Sequence, residues 1–224
     1  MTMGIVQNAS VVSQTSVFPG PLTTLASVGL DQAPGISRAF GLALVNTSSQ
    51  NSQINLTVMD NTGTPVTNST TLVMGPHQQI SRFLSDIFPA TALGPALTGS
   101  LIIQAANPFA SVGLRFTGPN FSAVASASTT PSSAPLDNQL TGCLLACPSV
   151  IFPQFAMGGG WASQLMLVET TGATATGHIY IFDPNGQPLA VTLNGQTNST
   201  FNYSLPPGGT FTLAPRDANG QTPF

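Results

Sequence analysis

Ile179-Tyr180-Ile181-Phe182-Asp183-Pro184-Asn185-Gly186-Gln187-Pro188-Leu189 decides the fold, because an earlier copy stands at Leu56-Thr57-Val58-Met59-Asp60-Asn61-Thr62-Gly63-Thr64-Pro65-Val66. The two lie 123 residues apart, and the same spacing carries Leu42, Leu44, Val45 and Thr47 onto Leu165, Leu167, Val168 and Thr170 without a gap. Two copies of one β-unit follow. Each reads as a strand, a short link, a second strand rich in apolar and β-branched residues, and an Asp-x-x-Gly-x-Pro turn that opens a third strand.

Composition frames what such a chain can do. At 224 residues and 42% hydrophobic it can bury a real core. Charged residues make up only 5%: Arg38, Arg82, Arg115 and Arg216 are the whole cationic set, lysine is absent, and Glu169 is the sole glutamate. A net charge of −3 gives little long-range field, so nucleic acid and anionic membrane are poor partners. Exposed sheet edges are commonly guarded by lysine, and this chain has none to spare. Chains of this kind are expected to associate.

Every apolar run is cut by Pro, Gly or polar residues well short of the roughly 18 residues a spanning helix needs, so no membrane insertion is expected. Met1-Thr2-Met3-Gly4-Ile5 does not read as a secretory signal, which fits an intracellular protein, a mature chain or a fragment. Abundant Ser and Thr, the scarcity of Lys and Glu, and seven Asn-x-Ser/Thr triplets favour the outside of a cell. The triplets begin at Asn8, Asn46, Asn55, Asn68, Asn120, Asn198 and Asn202, which are candidate glycosylation sites.

In chain order, residues 3–18 read as one or two strands ending at Phe18-Pro19-Gly20-Pro21, and residues 21–36 as an irregular connection. Repeat 1 then supplies strands at 40–45, 53–59 and 66–73. A helical turn or two is expected over Ser81–Phe88, stopped by Pro89. Leu97–Gln104 and Phe109–Thr117 are expected as two strands joined at Asn107-Pro108, and the Ser/Thr/Ala-rich stretch after Gly118 as a strand fading into a linker. Short strands with turn signals and little helical periodicity give an all-β fold of two tandem antiparallel β-sandwich domains; a single sandwich whose two sheets are the two repeats is the alternative. The boundaries expected are 36–126 for repeat 1, 127–148 for a Ser/Thr/Pro linker and 149–224 for repeat 2, preceded by a leading strand segment over 1–20.

The repeats are unequal at their ends. Pro76 corresponds to Pro207, which implies an insertion of 8 residues around Asn194-Gly195. Beyond Pro76 repeat 1 continues for 42 residues to Gly118, and beyond Pro207 only 17 residues remain, so repeat 2 is expected to lack its closing strands. Each buried backbone group left unpaired costs about 1–3 kcal/mol. The strand material free to fill the gap is the N-terminal segment, with Ile5, Val6, Val11, Val12 and Val17 as its apolar residues. It would complete repeat 2 within the same chain or in a neighbouring subunit by strand addition. Repeated head to tail, the second arrangement gives an open fibre.

Residues with chemical potential have simpler readings. His77 and His178 have no third His or carboxylate cluster to make a metal site with, and read as a turn residue after Pro76 and the start of a strand. Asp60 and Asp183 each bring one carboxylate, too few for calcium, and read as hairpin-turn residues. Cys143 and Cys147 are the only cysteines; a small-loop disulfide in the linker and two buried thiols are both open. Gly158-Gly159-Gly160 has no helix or Lys to make a phosphate loop and reads as a turn before Trp161. No nucleophile, base and orienting residue can be assembled from two histidines, so no enzyme and no cofactor are expected.

Val150-Ile151-Phe152-Pro153-Gln154-Phe155-Ala156-Met157-Gly158-Gly159-Gly160-Trp161, continuing through Phe182–Pro188 and Tyr203–Pro207, resembles the Ig-like β-sandwich repeats of large bacterial secreted and cell-surface proteins. Gly41–Asn46, Gly99–Leu101 and Val112–Arg115 resemble the alternate repeat of the same arrays. The resemblance implies an extracellular, non-catalytic, structural or adhesive role. The function expected is therefore a filament subunit that polymerises with itself by strand complementation, with a surface- or carbohydrate-binding module of a larger adhesin, taking surface glycans, as the alternative.

Overall fold

The computed structural model describes residues 2–7, 10–16, 22–32, 38–94, 96–118, 120–128, 134–135, 148–149, 152, 155–157 and 163–215. Antiparallel strands dominate, so the all-β expectation holds. The chain packs as two compact units. The first takes Met1–Thr129 together with Leu167–Ala175 and Leu205–Phe211; the second takes Thr130–Met166, Thr176–Ser204 and Thr212–Phe224.

The first unit is built on β3 (Thr23–Gln32), β4 (Arg38–Asn46), β5 (Ser52–Asp60), β6 (Thr70–Met74), β7 (Gln79–Phe83), β8 (Leu97–Thr117), β9 (Asn120–Val124) and β10 (Ser126–Ser128). Together they form an eight-stranded antiparallel sheet folded about β8. Period-two patterning drives it: in β4 Phe40, Leu42, Leu44 and Asn46 are buried, and in β5 Ser52, Ile54, Leu56 and Val58 are. These residues join Ala26, Val28, Leu30, Met74, Leu101, Ile103 and Phe109 in one apolar core.

Two expectations are corrected. Residues 21–36 are not an irregular connection throughout, because Thr23–Gln32 is a strand. Its small residues hide the alternation of Ala26, Val28 and Leu30, which only packing against β8 makes productive. Asn107-Pro108 does not separate two strands: Leu97–Thr117 runs on as one strand of 21 residues. Its first half lies between β3 and β5, and its second half between β4 and β9. Against β3 the register jumps from Leu25↔Gln104 to Thr23↔Phe109, so the residues around Pro108 are absorbed in a bulge, where a missing N–H is tolerated. The Pro108 carbonyl accepts from the Thr47 amide at 3.3 Å and from Thr47 Oγ1 at 2.8 Å, which holds the bend.

The helical turn before Pro89 is present as α1 (Leu84–Ile87), followed by α2 (Ala90–Leu93). Asp86 Oδ2 accepts from the Phe83 amide at 3.2 Å and the Phe88 amide donates to the Leu84 carbonyl at 2.8 Å, while Leu84 and Phe88 reach the core. At the other end of β4, Arg38 Nη1 donates to Asp31 Oδ2 at 2.8 Å in a pair whose side chains are 6% and 2% exposed.

At the N-terminus, β1 (Thr2–Gln7) and β2 (Ser10–Ser16) pair with each other, from Thr2↔Ser16 to Gln7↔Ser10 with a register shift between Ile5 and Val6. Ile5, Val6, Val11 and Val12 lie in this hairpin, and β2 runs beside β9. Val17 lies outside the described residues.

Further along, β11 (Ala134–Pro135) pairs with β12 (Pro148–Ser149), β13 (Leu165–Val168) with β18 (Thr210–Leu213), and β14 (Ala175–Tyr180) with β17 (Thr200–Leu205). The eight extra residues placed around Asn194-Gly195 form a hairpin of β15 (Val191–Leu193) and β16 (Gln196–Asn198). Its two-residue turn has φ of 48° at Asn194 and 75° at Gly195, the left-handed pair that suits the twist of a tight hairpin. Asn194 ties it down: Nδ2 donates to the Thr212 carbonyl at 2.8 Å and Oδ1 accepts from the Ala214 amide at 3.0 Å.

Candidate functional site

The two copies agree hydrogen bond by hydrogen bond. Asp60 Oδ1 accepts from the amides of Thr62 and Thr64 at 2.8 and 2.9 Å, and Asp183 Oδ1 from those of Asn185 and Gln187, both at 2.8 Å. Gly63 and Gly186 take φ of 82° and 77°, as the hairpin-turn reading requires. Both carboxylates sit below their ordinary pKa. For Asp60 slight burial opposes this and is outweighed by the Thr62 hydroxyl and the turn amides; for Asp183 the Gln187 amide is the main cause. Gly75-Pro76-His77-Gln78 and Pro206-Pro207-Gly208-Gly209 are likewise one turn: Gln78 N donates to Gly75 O, and Gly209 N to Pro206 O. His77 and Gly208 share the left-handed position, with φ of 53° and 69°.

One buried polar residue locks each copy. Asn46 N donates to Gln78 O at 3.0 Å and Glu169 N to Gly209 O at 2.9 Å. The Asn46 side chain donates through Nδ2 to the carbonyls of Gln50 and Gly75, both at 2.8 Å, and accepts from the Ser48 amide at 3.1 Å. The Glu169 carboxylate is all acceptor: Oε1 takes the Thr171 amide and hydroxyl, and Oε2 the amides of Gly172 at 2.9 Å and Gly208 at 3.0 Å. Burial pushes this carboxyl upward, but the Thr171 hydroxyl and the Gly208, Thr171 and Gly172 amides outweigh it and hold the pKa at about 2.

Where the copies part is the strand that covers them. β4 has β7 on one side and β8 on the other, and β5 has β6 and β8. Their counterparts have one strand partner each among the described residues, β18 for β13 and β17 for β14. Burial follows pairing. Leu42, Leu44 and Leu56 are fully buried, whereas the equivalent Leu165, Leu167 and Ile179 are half-buried. Leu165, Leu167 and Ile179 are thus half-covered apolar residues on strands with one strand partner each among the described residues.

The other candidate residues are placed as follows. His77 stands in the turn after Pro76, with its amide donating to Ser48 O at 3.2 Å. His178 lies inside β14, where Nδ1 meets Asn202 Oδ1 at 2.7 Å, and not at a strand start. Among the described residues no three His, Cys, Asp or Glu side chains come together, and no helix is long and apolar enough to cross a membrane. Of the candidate glycosylation residues, Asn55, Asn68, Asn198 and Asn202 are exposed and Asn120 begins β9. Asn46 is a correction: it is fully buried and its amide nitrogen is committed to carbonyls, so it clamps the fold and offers no acceptor surface. Asn8, Cys143, Cys147, Gly158-Gly159-Gly160 and Trp161 lie outside the described residues.

Sequence reasoning missed the Asn46 and Glu169 locks, although the 123-residue spacing places one on the other. It also missed a row of rings along β14 and the turn after it: His178 and Tyr180 are 6.0 Å apart, and Tyr180 and Phe182 6.4 Å. Comparison of the chain with protein-family profiles, curated proteins and solved structures found no match.

Proposed function

We propose that this chain is a non-catalytic, extracellular structural subunit: two Ig-like sandwich units in tandem, assembled head to tail into a fibre by strand complementation. The observation that carries the reading is that β13 and β14 have one strand partner each among the described residues, where their counterparts β4 and β5 have two. An edge of this kind gains backbone hydrogen bonds and covers apolar surface when a strand is added. The donor is the N-terminal segment bearing Ile5, Val6, Val11, Val12 and Val17, supplied by a neighbouring subunit. A donor and an acceptor that differ give a heterologous contact, which need not close. Scarce charge removes the usual guard against edge pairing and leaves little attraction for nucleic acid.

Deleting residues 1–18 tests the reading by sedimentation and electron microscopy. Fibres or multimers formed by the full chain and lost on deletion support it. Equal association of the two proteins, or a full chain that stays monomeric, removes it.

A second reading, a carbohydrate-binding module, draws on the ring row of His178, Tyr180 and Phe182, in which Phe182 is 38% exposed. Stacking on sugar faces is the role such a row would serve. Glycan-array binding that is lost in Phe182→Ala favours it over the fibre.

A further inference from the structure

We propose that the first compact unit holds a binding cleft for a small, neutral, largely apolar molecule bearing one hydroxyl or carbonyl group, with the Ser27 hydroxyl as its hydrogen-bond partner. The site goes beyond the fibre reading and does not depend on assembly.

Strand periodicity builds the floor. Ala26 and Val28 of β3, Leu101 and Ile103 of β8 and Val58 of β5 belong to the apolar core, so Leu25, Ser27, Ile102 and Met59 stand on the opposite face of the sheet. Ser27 pairs with Ile102, and β5 adjoins β8 on its other side. The walls are the 169–172 loop and the 206–209 turn, which belong to the same compact unit as the floor. The Thr210 amide donates to the Asn61 carbonyl at 3.1 Å, just after β5, and the Gly208 amide donates to Glu169 Oε2 at 3.0 Å. The walls are therefore fastened to the sheet and to each other. Between floor and walls lies a cleft of about 300 Å³, lined mainly by apolar surface.

The lining chemistry narrows the ligand. A volume of about 300 Å³ stands at the lower end for ligand sites and is roughly ten times the share of one water in the liquid, so a molecule of about ten non-hydrogen atoms fits. Leu25, Ile102 and Met59 give such a molecule apolar contact. Ser27 lines the cleft and is 2% exposed, yet its hydroxyl has no hydrogen-bond partner among the described residues. A buried hydroxyl in that state destabilises the fold, and one hydroxyl or carbonyl of a ligand relieves it. Glu169 is the only ionisable residue of the lining, and its carboxylate already accepts from four donors: the Thr171 hydroxyl and the amides of Thr171, Gly172 and Gly208. Its charge repels an anion, and its occupied oxygens offer no acceptor to an ammonium group stripped of water. A neutral ligand is what remains.

Titration calorimetry of the full chain with three probes of one skeleton tests the site: thymol, para-cymene, which lacks the hydroxyl, and cumate, in which the ring methyl of para-cymene is a carboxylate. Thymol is expected to bind at one saturable site, para-cymene about three- to tenfold more weakly, and cumate not measurably. Ser27→Ala should bring thymol down to the para-cymene level and leave para-cymene unchanged. Its urea midpoint should be no lower than that of the wild type, because the hydroxyl it removes satisfies no partner. Ile102→Trp and Leu25→Trp each fill the cleft from the floor and should abolish binding of both neutral probes; a cooperative urea transition shows which of them is folded. No saturable thymol binding, equal thymol affinity in the wild type and Ser27→Ala, cumate bound as tightly as thymol, or binding retained in a folded cleft-filling variant would each overturn the site. Deleting residues 1–18 is expected to leave thymol affinity unchanged whether or not the chain still associates, so this site and the fibre stand or fall separately.

Discussion

Asn46 and Glu169 occupy the same position in two copies of one unit and lock their loops with opposite hydrogen-bond polarity. Asn46 mainly gives, to the carbonyls of Gln50 and Gly75; Glu169 only receives, from Thr171, Gly172 and Gly208. The difference follows from the turn each one faces. Where Asn46 meets the carbonyl oxygens of Gln50 and Gly75, Glu169 meets the Gly208 amide of its turn and the Thr171 and Gly172 amides of its own loop. The two residues are therefore not interchangeable. Asn46→Asp sets a carboxylate against two carbonyls in a fully buried site, and an uncompensated buried acceptor of this kind costs about 3 kcal/mol. Glu169→Gln keeps the shape but turns an NH₂ toward amide donors, with an expected loss of about 2 kcal/mol. Urea denaturation of both variants measures this; wild-type midpoints in either would contradict the role given to that residue.

The Glu169 lock also fixes an acid limit. Its folded pKa of about 2 lies below the ordinary 4.5, so the folded state binds this proton less readily than the unfolded state. Such a depressed carboxyl stabilises fully above pH 4.5, and that contribution disappears as the pH falls from there toward 2. The difference between 4.5 and about 2 corresponds to about 3.4 kcal/mol, which solvent screening lowers to roughly 2–3 kcal/mol. Stability measured from pH 6 to pH 2 should decline over that window in the wild type and decline less in Glu169→Gln. Parallel curves would mean that the carboxyl is not held as described.

How much of this was legible beforehand depends on the kind of residue that carries the feature. The Asp60 and Asp183 turns were readable because Asp and Gly act through local backbone geometry, whereas the Asn194-Gly195 pair reads only as part of an insertion and not as the turn of a hairpin. β3 was not, since Ala26 and Ser27 acquire meaning only beside Ile103 and Ile102 of β8, some 75 residues on. Pro108 misled for a related reason: proline reads as a break, yet a bulge at a sheet corner leaves its missing N–H without consequence. The Asn46 and Glu169 locks escaped notice because a repeat comparison looks for like residues, and here function was kept while hydrogen-bond polarity reversed. The uneven ends of the two copies concern β13 and β14, which have one strand partner each among the described residues.

Gly63 and Gly186 are a second matched pair whose surroundings differ. Both need positive φ, where an alanine costs about 1–2 kcal/mol. A Cβ on Gly186 would meet nothing within 4 Å, whereas one on Gly63 would sit 1.9 Å from the Pro207 carbonyl oxygen. Gly63→Ala is therefore expected to cost about 1–3 kcal/mol more than Gly186→Ala, through forced displacement of the Pro207 turn. Thermal or urea unfolding of the two variants reads the difference directly. Equal losses would show that the Gly63 turn and the Pro207 turn are not in contact in solution.

The Arg38 to Asp31 pair gives a test of the first core that is independent of the repeats. Arg38 Nη1 donates to both Asp31 Oδ2 and the Asp31 carbonyl, at 2.8 and 3.1 Å, joining the ends of β3 and β4 across the top of the sheet. Removing the cation takes the Arg38 contact from a carboxylate that is 2% exposed. Arg38→Met is thus expected to lose about 3 kcal/mol, since a buried carboxylate deprived of its cation costs more than the pair contributes. Adding Asp31→Asn to Arg38→Met should recover a good part of that loss, because the amide is neutral and the methionine fills the space of the arginine stem. A double variant no more stable than the single one would mean that the arginine acts here through packing alone.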